Sequence, residues 1–474
     1  MNLLSNHLRA RGVGTLTLLL LVSLLTGCDD DDIDPPDPSA ESFLLLSDLH
    51  FNPLANLSLA EQLAAAEPSQ WRAILESAPG QSLGTYGADT NHALMRSAFS
   101  SMQRTTPQPA FVLVTGDWLT HGFQEEYHRA FPTSDKSAFL AFQHKTMRFL
   151  AEQLGELYPD TTIYPVLGNN DTDCGDYDLQ THGPFLEDSV DVLEPLVNRH
   201  GAAPEFRSTY PVGGYYTAKL PFEHGRLIVL NGVFWSPAFK NECASSTWDP
   251  GQEELTWLEQ TLAASARDGE SVWLAFHIPP GIDVFQTLSS KDCPPAGPSC
   301  TSVSMYKPQY EKQLLALLRQ HAGIIRMAFA GHTHMNEFRL LSAPGEPASL
   351  PLLQVGSISP IFYNNPSYFD VALEPRTGEL RDYTAFVLTD LGARSTQPGW
   401  EKEYSFNEAY GQNGVTAASL EAVVSAIESE LSTRVRYAWY YPSLGPSYIL
   451  PKWRAYWCAI NHLSPPDFER CYTE

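Results

Sequence analysis

The chain has 474 residues, 43% hydrophobic and 18% charged, which is enough for one large globular domain or two to three ordinary ones and excludes a disordered chain. With 30 basic against 55 acidic residues the net charge is -25, which argues against a surface built to grip a nucleic-acid backbone, so no duplex-binding partner is expected.

The first residues read as an export signal. His7, Arg9 and Arg11 precede an apolar run over 15–25 that is too short to span a bilayer comfortably. It ends in Leu25-Thr26-Gly27-Cys28, which resembles a bacterial lipobox, so residues 1–28 are expected to be a lipoprotein signal with Cys28 lipidated. The alternative is a plain secretion signal with an incidental cysteine. The acidic and Pro-rich stretch 29–41 reads as an extended, solvated tether. The expected location is therefore the bacterial cell envelope, facing the periplasm or the exterior, with the membrane met through the lipid. Six further cysteines, an even number in an exported chain, suggest disulfides. Cys293 with Cys300 and Cys458 with Cys471 are plausible local pairs, leaving Cys174 and Cys243, but spacing alone does not decide the connectivity.

Past the tether, short apolar strands recur, each stopping at a polar residue able to bind metal. Residues 43–47 run into Asp48-Leu49-His50 and a polar stretch to Gly87, followed by a helix over 92–102. Residues 111–114 run into Thr115-Gly116-Asp117. A helix is predicted over 137–158, where Phe139, Phe142, Met147, Phe149, Leu150 and Leu154 recur near helical spacing. Residues 162–167 run into Gly168-Asn169-Asn170-Asp171. An irregular segment bearing Cys and Asp leads to a strand over 227–231 and a helix over 252–266. Residues 272–276 run into His277-Ile278-Pro279-Pro280-Gly281, and a helix over 308–321 precedes the strand 324–329, which runs into Ala330-Gly331-His332-Thr333-His334. Strands over 352–355, 368–371 and 383–387 follow, the last two read as antiparallel. From Trp400 the pattern turns helical, with 420–439 the longest stretch.

Alternating strands and helices predict an α/β layer fold, in which functional groups gather at the C-terminal strand edges. Asp48, His50, Asp117, Asn169, His277, His332 and His334 all stand at such edges. His332 and His334 are two apart, so on extended backbone they share a face, and Gly331 permits close approach. Mixed carboxylate and imidazole donors suit zinc, manganese or iron better than magnesium or calcium. Two such ions can clamp a phosphoryl group and make hydroxide available near neutral pH.

In their order, Asp48-x-His50, Gly116-Asp117, Gly168-Asn169, His277 and Gly331-His332-x-His334 resemble the motif set of the calcineurin-like metallophosphoesterases. The resemblance implies a four-layer α/β/β/α sandwich over 42–395, with 396–474 a helical C-terminal extension. It implies two divalent ions, zinc or alternatively manganese or iron: one on Asp48, His50, Asp117 and His334, the other on Asp117, Asn169, His277 and His332. A finer resemblance is to the acid sphingomyelinase-like branch and the related polyphosphatases, carried by Asp117-Trp118-Leu119-Thr120-His121, by the His277 stretch, and by Gly356-Ser357-Ile358-Ser359-Pro360 with Asn365-Pro366-Ser367-Tyr368. Asn170 departs from the family's usual Gly-Asn-His, and an amide cannot act as a general acid. His121 is therefore the expected phosphate stabiliser or proton donor, with Asn170 and Asp171 as further catalytic candidates. The activity implied is sphingomyelin phosphodiesterase-like hydrolysis of phosphodiester or phosphoanhydride bonds by a monomer. A nucleotide or polyphosphate phosphatase, a phosphomonoesterase and a non-catalytic metal-containing surface binding protein remain alternatives.

Overall fold

The computed structural model describes residues 41–474 apart from 79–81, 244–247, 291–292, 294–299, 343–349 and 392–398. The signal and nearly all of the tether, including Cys28, lie outside the described residues. Twelve strands form two six-stranded mixed sheets. The first contains β1 (Glu41–Leu46), β2 (Phe111–Val114), β3 (Thr162–Pro165), β10 (Ser367–Leu373), β11 (Leu380–Leu388) and β12 (Trp400–Ser405), in the order β12-β11-β10-β1-β2-β3. The second contains β4 (Tyr216–Lys219), β5 (Gly225–Val229), β6 (Ser271–Ala275), β7 (Ile325–Ala330), β8 (Glu337–Leu341) and β9 (Leu350–Gln354), in the order β4-β5-β6-β7-β9-β8.

Strands β1, β2 and β3 are parallel, as are β5, β6, β7 and β9. Parallel strands are covered on both faces, which is why Phe-Val-Leu-Val of β2 and Phe-Leu-Leu-Leu of β1 are unbroken apolar runs. The sheets meet through aromatic rings. Phe43 stacks on Phe111 at 4.3 Å and reaches Trp273 and Phe329 of the second sheet at 5.7 Å each. Full burial of such a side chain is worth roughly 3 kcal/mol, so these four rings bind the sheets firmly.

Crossover helices follow the predicted periodicity. His92–Thr105 is capped by Asn91, Lys136–Leu157 by Asp135, and Pro250–Asp268 by Asp249 with Gly269 closing its C-terminus in the left-handed region. Pro308–Gln320 leads into β7. Among the described residues, no helix is long and apolar enough to cross a membrane. The described residues cluster as a single unit, the helices after β12 included.

Four local expectations are corrected. Residues 400–405, expected to be helical, form the edge strand β12 antiparallel to β11. Its Glu-Lys-Glu centre favours helix locally, but exposed charges such as Glu401 and Lys402 are also what an edge strand carries. The helix expected over 420–439 is two, Ala417–Ser429 and Leu431–Tyr440, broken at Glu430, whose backbone is extended. The polar stretch before Gly87 contains helices Ala60–Ala65 and Pro68–Glu76. The irregular segment contains Pro184–Val197 and Phe206–Gly213, each with an internal proline that hides the helical pattern. The cysteines pair as Cys174–Cys243, Cys293–Cys300 and Cys458–Cys471. The first closes a loop of 69 residues, for which chain entropy gives a stabilisation of about 4 kcal/mol.

Candidate metal centre

The C-terminal ends of β1, β2, β3, β6 and β7 converge where the two sheets meet. Asp48, His50, Asp117 and Asn169 come from the first sheet, and His277, His332 and His334 from the second. Backbone hydrogen bonds lock the loops: Asp48 N–H donates to Gly116 O at 2.9 Å, His50 N–H to Asp117 O at 2.9 Å, and Gly331 N–H to His277 O at 3.0 Å. Asp48, His50, Asp117, His332 and His334 all have positive φ, between 41° and 76°. Non-glycine residues rarely adopt this conformation, and such clusters of backbone strain mark functional sites. The loops also approach too closely for side chains on their glycines. A Cβ on Gly168 would lie 2.0 Å from Asp117 Oδ1, and one on Gly331 would lie 1.9 Å from Ser47 Oγ.

The ligand atoms fall into overlapping groups that share Asp117: Asp48, His50 and Asp117 form one, and Asp117, His277 and His332 another, with all atoms of each within 4.8 Å. Asp117 Oδ2 lies 3.3 Å from His50 Nε2 and 3.1 Å from His277 Nε2, the position of a bridging oxygen. His334 Nε2 lies 3.3 Å from Asp48 Oδ1, and a third group, His50, His121 and His334, brings a ring nitrogen of His121 within the same 4.8 Å span. Asn169 lines the adjoining cavity together with Asp117, His332 and His334. Buried Asp48 Oδ1, Asn169 Oδ1 and His277 Nε2 have no hydrogen-bond partner. Orphaned donor atoms of mixed oxygen and nitrogen type, aimed at one space, fit divalent cations. Outer contacts set the ring orientations. His50 Nδ1 faces Leu119 O at 3.0 Å and His277 Nδ1 faces Thr115 O at 2.7 Å, which leaves both Nε2 atoms for the centre.

Without ions the cluster holds protons in their place. Burial opposes charge on His50, but Asp117, Asp48 and Asp89 outweigh it and raise its pKa to about 10. The same balance, dominated after burial by Asp117 and Asp48, raises His277 to about 9. Burial and the neighbouring rings push His332 and His334 down to about 3. Burial would lift the Asp48 carboxyl, yet the surrounding histidines hold it below the usual carboxylate range. Among the described residues the ion-pair partners of Asp48 and Asp117 are histidines only, so the positive charge they face is the one that a metal ion would replace.

Asn170 and Asp171 are buried and do not line the cavity. Asn170 donates its backbone N–H to Asp117 Oδ1 at 2.8 Å and its Nδ2 to Asp117 Oδ2 at 2.7 Å, so it clamps the bridging carboxylate. Asp171 is fully buried and accepts from the backbone N–H groups of Trp118, Leu119 and Gly168 at 2.9, 3.1 and 2.8 Å, tying the β2 and β3 loops together. His121 lines the cavity and stacks on His50 at 3.9 Å. Its Nδ1 lies 3.1 Å from both oxygens of Asp89, a residue that sequence reasoning missed because it stands alone in a loop with no motif around it. The cavity, about 540 Å³, runs from Asp117, Asn169, His332 and His334 to a wall of Tyr441, Tyr448, Lys452 and Tyr456 from the C-terminal extension.

Two facing mixed sheets with an Asp/Asn/His cluster at their joined edges define a two-metal phosphoesterase. The sequence model of the calcineurin-like phosphoesterases matches residues 42–336, and the chain belongs to that family. The chain is 26% identical over 446 residues to mouse (Mus musculus) acid sphingomyelinase-like phosphodiesterase 3b, covering 90% of this chain and 89% of the relative. It is 27% identical over 423 residues to sphingomyelinase phosphodiesterase C of Dictyostelium discoideum, with 84% and 85% covered, and 25% identical over 447 residues to the mouse cyclic GMP-AMP phosphodiesterase SMPDL3A, with 90% and 91% covered. Among solved structures, a dimetal phosphatase from Danio rerio aligns with a TM-score of 0.39 at 13% identity, over 74% of this chain and 96% of that one. A metal-dependent phosphoric ester hydrolase is thus the class to which this site belongs.

Proposed function

We propose that the chain hydrolyses phosphodiester or phosphoanhydride bonds, the substrate being a sphingomyelin-type headgroup ester, a nucleotide or a polyphosphate. The observation that carries this reading is the cavity. At about 540 Å³ it continues well past the metal ligands and offers room for a second substituent on phosphorus. The phosphodiesterase names of the relatives support the same choice. Ions held by the seven ligands, zinc first and manganese or iron as alternatives, would neutralise phosphoryl charge and supply a nucleophilic water. Asn170 keeps the Asp117 carboxylate turned to the centre, and Asp171 holds the loops that carry it. His121 donates a proton to the leaving oxygen from the cavity side. Activity on bis(p-nitrophenyl) phosphate should exceed that on p-nitrophenyl phosphate by at least about tenfold. A reversed preference indicates a phosphomonoesterase, and bound metal without turnover of any phosphate ester indicates a binding protein.

The same reading places the chain in the cell envelope as a monomer tethered by lipid on Cys28. Three disulfides support an oxidising compartment. Cys28→Ser should release the protein from the membrane fraction, and an unchanged distribution would refute the tether.

A further inference from the structure

The metal centre leaves two stretches without a role: the 356–360 run and the polar loop ahead of helix His92–Thr105. They meet at Asp89. Its side chain is 7% exposed, and among the described residues its ion-pair partner is His121. Asp89 Oδ2 accepts from Thr120 Oγ1 at 2.6 Å and from the His121 N–H at 3.0 Å, while Oδ1 accepts from Ser359 Oγ at 2.8 Å. Ser359 is fixed in turn. Its carbonyl accepts from Asn364 Nδ2 at 3.1 Å, and its N–H donates to Asp48 O at 3.2 Å. A line of hydrogen bonds therefore runs from Asn364 through Ser359 and Asp89 to the His121 ring.

A carboxylate can only accept, so the His121 nitrogen facing it, Nδ1, carries a hydrogen. In the doubly protonated ring that donates, Nε2 carries the second hydrogen; this nitrogen has no hydrogen-bond partner among the described residues, and the ring lines the cavity. The ring cannot readily turn away, because His50 stacks on one face at 3.9 Å and the edge contact of Phe362 closes in at 5.8 Å. With Asn170 committed to Asp117, His121 is the side chain placed to serve the leaving group.

We propose that Asp89 is a positioning residue, set by Ser359 and Thr120, that orients His121 so that Nε2–H meets the leaving oxygen. The inference rests on the reading of His121 as proton donor. As the P–O bond to the leaving group breaks, its electron pair goes to the ester oxygen and the Nε2 proton moves there. Nδ1–H stays on Asp89, and the water that forms the new P–O bond releases the proton that restores the ring.

The test compares Asp89→Asn, His121→Gln and the double variant, all metal-loaded, on methyl aryl phosphodiesters whose leaving groups range from p-nitrophenol to phenol. A weakly basic leaving oxygen needs little protonation, so Asp89→Asn should lose about 3-fold in kcat with p-nitrophenol and on the order of 100-fold with phenol. Metal content should not change, and the double variant should be no slower than His121→Gln. A loss equal for all leaving groups, or one that adds to that of His121→Gln, overturns the role of Asp89. A leaving-group-independent loss in His121→Gln refutes the proton-donor reading itself, a distinct outcome. Should Asp89→Asn fail to fold, Ser359→Ala keeps the carboxylate and removes one of its tethers. It should steepen the same dependence to a smaller degree, and a flat response overturns the proposal.

Discussion

His50 and His334, 284 positions apart, point their Nε2 atoms at each other across 3.1 Å. His50 Nδ1 donates to the Leu119 carbonyl, and because its pKa is raised to about 10 the metal-free ring carries a second hydrogen on Nε2, which faces the neutral His334. A cation bound by both rings must displace that proton, and His277, raised to about 9 with its Nε2 3.1 Å from Asp117 Oδ2, must likewise give one up. Metal loading should therefore release about two protons per chain near neutral pH, and affinity should fall as pH falls. Calorimetry in buffers of different ionisation enthalpy measures the number, and loading with no proton release would contradict the arrangement.

The same groups shape the stability of the metal-free protein. His50 and His277, raised from 6.5 to about 10 and about 9, contribute stability that is complete below pH 6.5 and lost as pH rises through those values. His332 and His334, lowered to about 3, contribute stability present above pH 6.5 and lost as pH falls toward 3. Thermal unfolding of chelator-treated protein should thus peak near pH 6.5 and decline on both sides. Loaded protein, whose cations replace the protons, should lack the alkaline decline.

His332→Ala removes one donor from the group containing Asp117 and His277. Bound metal should drop by about one ion per chain, and kcat/KM by at least about 1,000-fold. Elemental analysis beside steady-state kinetics checks both, and wild-type activity in this variant would sink the two-metal mechanism.

Gly168→Ala places a methyl group 2.0 Å from Asp117 Oδ1. The loop must shift or the carboxylate must turn. Stability should fall by about 2 kcal/mol and metal retention should fall with it, as read by denaturant titration and by dialysis.

Asp171→Ala strands three buried N–H groups. The expected cost is about 3 kcal/mol of stability, while kcat per metal-loaded, folded molecule should change by less than about tenfold. A loss of kcat on the His332→Ala scale with unchanged unfolding would restore Asp171 to a catalytic role.

Much of the centre was legible because its ligands follow parallel strands directly. Apolar runs such as 111–114 and 324–329 announce strands, and their abrupt ends at Asp117 and at His332 and His334 announce the edge where chemistry collects. What stayed hidden depends on distant neighbours. The helix Pro184–Val197 contains a proline and gains its stability from the core, and β12 is a strand because β11 lies beside it. Asn170 could be recognised as a departure, but its attachment to Asp117 could not, since amide orientation depends on what lies opposite.

By itself, then, the sequence determined which donors exist and that each ends a strand, because strand, turn and ligand are local properties of a few consecutive residues. Only the tertiary structure decided that the Asp48 and Asp117 of one sheet meet the three histidines of the other, that Asn170 faces a carboxylate, and that Asp89 stands behind His121. Those relations arise where two separately ordered sheets pack through Phe43, Phe111, Trp273 and Phe329, and no local pattern carries the register of that packing.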